Sequence, residues 1–257
     1  MIKHSRSRKI SVSLVAAYGS PMTDIFTSGT YRSAKTLALV VVVLFAVQLG
    51  CYALYVVLAG VQIAVPNIQA GDSGLTIPFL LIGMIAVVEG LARLATVVMF
   101  LVWLFRIYTN FPALGVRNLD FSPGWAVGWW FIPFANLLKP YQVVTEAWRE
   151  SDPEFDPEFG YLSSSGGSSW QFTAWWGTFI LGNITSRVGD AVIGDPATVS
   201  LYPYVLVLTV LFLSVSAMLA IWIVRNTTSR QDVRATRIRQ TAKNDQPPPP
   251  PIFDKDL

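Results

Sequence analysis

Apolar residues come in blocks along this chain. Leu37 to Val61 and Ser200 to Val224 each run for about 25 residues; the first is interrupted by one amide, Gln48, and the second carries no charge. Roughly 20 helical residues cross a hydrocarbon core of about 30 Å, so each block predicts a membrane-spanning helix. Three more segments are apolar but interrupted. Pro78 to Tyr108 carries Glu89 and Arg93, and Pro123 to Trp148 is rich in tryptophan and proline. Ser168 to Arg187 is the weakest, with Gln171, Thr173, Thr178 and Asn183 among its apolar residues. Turn-forming runs separate the blocks: PNIQAGDSG at 66–74, FPALG at 111–115, SSSGGSS at 163–169 and GDP at 194–196.

Charge then orients the segments. Up to Lys35 the chain has six Lys or Arg, and from Arg225 onward it has seven. The loops 62–77 and 188–199 have none. Cytoplasmic flanks carry the excess of basic residues, so both termini are expected inside and these two loops outside. Termini on one side require an even number of crossings, and one of the five segments must be demoted.

The segment to demote is 123–150. It opens PGWAVGWWFIPFANLLKPYQ, with three tryptophans and three prolines. Pro133 predicts a helix break, because a proline inside a helix costs about 3 kcal/mol. Beyond it Phe134, Leu137, Leu138, Tyr141 and Trp148 share one helical face, while Asn136, Lys139, Gln142, Glu146 and Glu150 share the other. Such a helix lies in the interface plane with its apolar face toward the acyl chains. Trp125, Trp129, Trp130, Tyr141 and Trp148 suit that plane as aromatic anchors, and Pro140 marks a helix start at KPYQ. The expectation is a helix, a break and a helix, interfacial or re-entrant on the cytoplasmic side; a genuine fifth crossing is the alternative.

The resulting fold class is an all-α integral membrane protein: a four-transmembrane-helix bundle plus that segment. Residues 1–34 form a basic cytoplasmic tail. The membrane domain is 35–225, with spans at 35–61, 78–108, 168–187 and 200–224 and an acidic loop at 151–160. Residues 226–257 form a basic, proline-rich, disordered tail. Composition agrees, with 53% hydrophobic and 14% charged residues among 257, against about 25% charged in a soluble domain. A net charge of +3 does not argue for nucleic acid, because Lys and Arg sit mostly at the ends of apolar runs. Cys51 is the lone cysteine, which excludes an intrachain disulfide and a Cys-based zinc site. The basic residues Lys3, Arg6, Arg8 and Lys9 precede only ISVSLVAAY, too short and serine-broken for a cleavable signal. Met22 is a second possible start.

Phe100 to Ser151 reads FLVWLFRIYTNFPALGVRNLDFSPGWAVGWWFIPFANLLKPYQVVTEAWRES. It resembles the signature of the bacterial membrane proteins grouped as domain of unknown function 4328. The matching positions are Trp103, Leu104, Arg106, Tyr108 and Asn110; Ala113 to Gly115; Pro123 to Trp125; Trp129 to Asn136; and Lys139 to Tyr141. WWGTFILGNITSR at 175–187 fits the later part of the pattern. The resemblance covers about 31–225. It implies a multi-pass protein of the bacterial cytoplasmic (plasma) membrane and a shared architecture, and it implies no chemistry, because the family carries no established activity.

Candidate chemistry is sparse. His4 is the only histidine, so no base stands near a nucleophile, and phosphate-binding and dinucleotide-binding glycine motifs are missing. No cofactor and no metal site is expected. DPEFDPEF at 152–159 lacks the glycine turn and terminal Glu of a calcium loop. QPPPPPIFDKDL at the carboxyl end reads as polyproline, a stiff end or an SH3-type ligand. Glu89 and Arg93, four residues apart, share a helix face. An intramembrane ion pair marks either a functional pathway or a structural lock. Arg106, Asn136, Lys139, Gln142 and Glu146 form a candidate interfacial polar cluster for an anionic lipid headgroup, or else a polar face turned to water. Three functions compete: a non-enzymatic scaffold, signalling or lipid-interacting module; a small oligomeric transporter or channel using Glu89 and Arg93; and a lipid-modifying enzyme, the weakest. The expected partners are membrane lipids, a second copy or another membrane protein.

Overall fold

The computed structural model describes residues 30–64, 77–154 and 170–244. The amino-terminal tail to residue 29, the loop 65–76, the acidic and serine-glycine residues 155–169 and the polyproline end from 245 lie outside the described residues. All regular structure among the described residues is helical. The α-helices are α1 (Lys35–Ala64), α2 (Ile77–Asn110), α3 (Pro123–Gly128), α4 (Lys139–Glu150), α5 (Trp170–Ile193) and α6 (Tyr202–Asn244). Short 3-10 turns lie at Pro112–Leu114, Trp129–Phe131, Ala135–Leu137 and Val199–Leu201.

Three helices are long and apolar enough to cross a membrane: Lys35–Val61, Leu80–Asn110 and Val199–Asn244. Of the residues expected to form another span, 168–187, those from Trp170 onward fall in α5, whose polar side chains keep it out of that set. The long helices pack in a row, α2 beside α1, α1 beside α6 and α6 beside α5. At the α5–α6 seam the backbones approach closely. A Cβ on Gly182 would lie 2.5 Å from Leu213 Cδ2 and 3.4 Å from Leu213 N, so only glycine admits this contact. The ends of the row, α2 and α5, do not pack along their lengths; Phe100 and Trp175 meet across the gap with ring centroids 6.4 Å apart.

Residues 123–150 close one end of the row. Ser122 caps α3, its hydroxyl accepting from Trp125 N (3.4 Å), and Pro123 fits the first turn, where no N–H is needed. Pro133 breaks the segment, and Ile132 before it is extended, as a residue preceding proline must be. Phe134 then turns the chain at φ 64°, with Ala135 N–H donating to Pro133 O (2.8 Å). This is the strained hand of the γ-turn, rare outside glycine. Helix α4 begins at Lys139 with Pro140 in its first turn. It packs against α2, α5 and α6. Trp103, Tyr108, Phe111 and Phe172 are fully buried at this end, which holds most of the core.

Helix α6 departs from expectation. Residues 226–257 read as a disordered tail, yet α6 continues unbroken to Asn244. Its 43 residues span about 65 Å, twice the thickness of a hydrocarbon core. The polar part stays ordered because one of its faces is buried: Thr227, Thr228, Gln231, Arg234 and Ala235 are all inaccessible.

Candidate functional site

Glu89 and Arg93 do meet. Arg93 Nε donates to Glu89 Oε1 (2.8 Å), and a second guanidinium nitrogen lies 2.7 Å from the same oxygen. Tyr52 of α1 joins them, its hydroxyl donating to Glu89 (3.4 Å) and accepting from Arg93 (3.2 Å). One turn further along α2, Thr96 accepts from Gln48 Nε2 (2.5 Å) and donates to Ala92 O (2.7 Å). Each of these polar groups on α1 and α2 therefore has a partner, as a low-dielectric interior requires.

Arg93 is not wholly absorbed by its ion pair. Its side chain keeps 42% of its surface accessible against 14% for Glu89. It borders a cavity of about 340 Å³ in the gap between α2 and α5. Gln48, Tyr52, Thr96, Asn183 and Ser216 add polar groups to the wall, while Phe100, Trp130, Trp175, Trp176 and Phe179 supply aromatic surface. The rings form a connected set: Phe100 to Trp130 (5.5 Å), Trp130 to Trp176 (5.9 Å, edge to face) and Trp176 to Phe179 (5.2 Å, stacked). Trp176 Nε1 donates to Leu137 O (2.7 Å), which ties α5 to the turn after the break. The buried indole N–H of Trp130 has no acceptor among the described residues.

The interfacial polar cluster does not form as one group. Asn136 borders the cavity with Arg93. Lys139 donates to Gln142 (3.1 Å), and its ammonium sits over the rings of Phe121 (5.3 Å) and Trp129 (5.4 Å). Arg106 is half-buried on α2, and its backbone carbonyl accepts from Thr109 (2.9 Å). Glu146, expected on the solvated face of α4, is buried, as is Glu150. Glu146 accepts from Tyr108 OH (2.7 Å) and from Asp120 N (2.6 Å). Burial pushes its carboxyl above the usual range; those two donors pull the other way, and the nearby Asp120 and Glu150 push further up. Helical spacing could not show this, because the partners come from α2 and from the loop before α3. Of the aromatic anchors, Trp125 is 55% exposed, while Trp129, Trp130, Tyr141 and Trp148 pack partly into the core.

A second polar assembly was missed in the sequence. It holds the far part of α6 against the rest. Arg230 donates to Asp152 Oδ2 (2.6 Å) and lies 3.9 Å over the Trp148 ring. Arg234 donates to Glu150 O (2.9 Å), and Arg237 to Pro153 O (3.1 Å). Gln231, fully buried, donates to Ile107 O (3.1 Å) and accepts from Asn110 Nδ2 (3.1 Å). Asn110 also accepts from Arg32 N (3.2 Å), and Trp103 Nε1 donates to Thr228 (2.9 Å). The available signal was the spacing of Thr227, Gln231, Arg234 and Ala235, which continues one helical face past the apolar block. Among the described residues no cluster of His, Cys, Asp and Glu has the makeup of a metal site.

A family model described as Domain of unknown function (DUF4328) matches residues 79–229. That stretch holds the ion pair, the break, α4, α5 and α6 as far as Ser229, one residue short of the docking arginines. No curated protein and no solved structure matches the chain.

Proposed function

The chain belongs to the DUF4328 family, and from that premise we propose a non-enzymatic lipid-interacting module of the bacterial plasma membrane that crosses the bilayer four times and takes one membrane-dissolved amphiphile into the α2–α5 cavity. The cavity carries the reading. Its volume of about 340 Å³ is in the range of small-molecule sites, which are mostly apolar with a few convergent polar groups. An amphiphile would lay its apolar body on the tryptophans and its polar end on Arg93, Gln48 and Asn136. The Trp130 N–H, without an acceptor among the described residues, is a further donor for it.

The fourth crossing falls to α5. Its 24 residues give about 36 Å, enough for a hydrocarbon core. Its polar side chains bond back to their own helix: Thr178 to Ala174 O (2.7 Å), Asn183 to Phe179 O (2.8 Å) and Thr185 to Leu181 O (3.0 Å). That lowers the cost of carrying them into lipid. The segment 123–138 reads as re-entrant. Trp130 packs on Phe100, ten residues before the end of α2, or about 15 Å along its axis. Phe131, Phe134, Leu137 and Leu138, all strongly exposed, then contact acyl chains.

Two experiments test this. Reporters fused after residues 155, 195 and 257 are expected inside, outside and inside; a chain with its ends on opposite sides refutes the four-crossing topology. Native mass spectrometry of the purified protein is expected to show one retained amphiphile, lost when Ala217→Phe fills the cavity. Retention unchanged in that variant overturns the binding site. The accessible face of Arg93 favours one alternative, a small transporter using the Glu89–Arg93 pair. That reading requires solute flux in liposomes that changes with Glu89→Gln.

A further inference from the structure

The first turns of α1 and the polar part of α6 enclose a groove of about 840 Å³. Its depth can be read from the helices. Lys35 Nζ lies 3.7 Å from Asp232 Oδ2, which sets the two antiparallel helices in register. Seven residues along α1 is Val42, and seven residues back along α6 is Arg225; both border the groove. Each is displaced about 10 Å in the same direction, at 1.5 Å per residue. Arg225 therefore stands level with Val42, where the apolar block of α6 ends. Lys35 stands about two turns nearer the polar end.

The two walls differ in chemistry. The α1 wall turns apolar within one turn of Lys35, through Ala38, Leu39 and Val42. Leu39 is 63% exposed although it faces α6 across the groove. The α6 wall presents Arg225, Ser229 and Thr236, with Arg237 at the rim. Arg225 and Ser229 are four residues apart, so they share a face. Arg225 is exposed and makes no ion pair among the described residues. Asp232 is the one carboxylate in the lining, held by Tyr31 OH (2.8 Å) as well as by Lys35. Three cations against one carboxylate leave the groove positive.

We propose that this groove binds the headgroup of an anionic phospholipid, with the phosphate between Arg225 and Lys35 and an acyl chain along Leu39 and Val42. The positive polar mouth and the apolar wall fit one molecule that is anionic at one end and apolar along its body. Arg225, at the apolar boundary, extends its guanidinium back toward the headgroup level while its methylenes stay against the acyl chain. Ser229 supplies a hydroxyl donor between the two cations. The groove and the cavity share no lining residue. It replaces the dispersed Arg106, Asn136, Lys139, Gln142 and Glu146 set as the headgroup site.

The inference rests on the membrane reading above but not on the cavity. The test uses the full chain in nanodiscs of mixed phosphatidylglycerol and phosphatidylcholine, followed by native mass spectrometry of the released protein. Wild type is expected to retain phosphatidylglycerol in preference to phosphatidylcholine. Each cation near an anionic lipid changes retention about fivefold. Lys35→Gln with Arg225→Gln is therefore expected to cut the preference about 25-fold, with phosphatidylcholine retention unchanged. Lys35→Arg with Arg225→Lys is expected to preserve it. Equal retention of the two lipids by wild type, or an undiminished preference in the glutamine variant, overturns the groove. Displacement of phosphatidylglycerol by millimolar inorganic phosphate would show an anion site without lipid specificity and overturns it too. A chain that retains neither lipid sinks the membrane reading itself.

Discussion

Replacing Asp152 with alanine tests whether the polar part of α6 is docked through its arginines. Asp152 Oδ2 accepts from Arg230 (2.6 Å), and the two side chains are only 9% and 19% exposed. Removing one partner of a buried pair costs about 3–5 kcal/mol, because the other charge stays uncompensated. Two features reduce that here. Arg230 keeps its stack on Trp148 at 3.9 Å, worth about 0.5–2 kcal/mol, and it retains some solvent contact. The expected loss is about 2 kcal/mol, or roughly a thirtyfold increase in local opening. Hydrogen exchange read by mass spectrometry measures it directly: amides of residues 228–240 are expected to exchange about thirty times faster in Asp152→Ala. A second substitution separates contact from burial. Arg230→Met in the same chain removes the stranded charge and lays a thioether on Trp148, so protection is expected to recover substantially. Unchanged exchange in Asp152→Ala refutes the docking, as does wild-type exchange at the rate of an unstructured peptide.

Other substitutions report on other parts. Gly182→Ala drives a methyl to 2.5 Å from Leu213 Cδ2, so the thermal midpoint in detergent is expected to fall by the equivalent of about 1–3 kcal/mol. Gly177→Ala meets nothing within 4 Å and is expected to raise it slightly; the reverse order would show that the α5–α6 seam is not close-packed. Glu146 has its carboxyl pushed up in the folded chain, against about 4.3 when unfolded. Its stabilising contribution is therefore complete below about 4.3 and is lost as pH rises through the higher folded value. Docking of α4, followed by tryptophan emission, is expected to tighten on acidification toward that window, and Glu146→Gln to flatten the response; an unchanged pH profile in Glu146→Gln removes this account. Phe134 sits at φ 64°, where a β-branched residue is strained further. Phe134→Val is expected to cost about 1–3 kcal/mol in thermal unfolding while Phe134→Gly does not; equal midpoints would mean that the turn relaxes.

How much was legible in the sequence depends on the range of the physics involved. Hydrophobic blocks at Leu37 to Val61 and Ser200 to Val224 determine long apolar helices, because helix length and hydropathy are local properties. The break at Pro133 and the helix start at Lys139 are equally local, since proline fixes its own φ and restricts its neighbour. The spacing of Glu89 and Arg93 determines their contact on one helix. Tertiary structure decided what depends on distant partners. Glu146 looked solvated until Tyr108 and the Asp120 amide supplied donors that make its burial tolerable. Arg230, Gln231 and Arg234 looked like a disordered basic tail until Asp152 and the carbonyls of Ile107 and Glu150 gave them acceptors and the Asn110 amide gave Gln231 a donor. A polar side chain carries no local sign of whether water or a remote residue will satisfy its hydrogen bonds. The placement of the apolar segments follows from the chain itself, whereas the fate of its polar residues follows only from the fold.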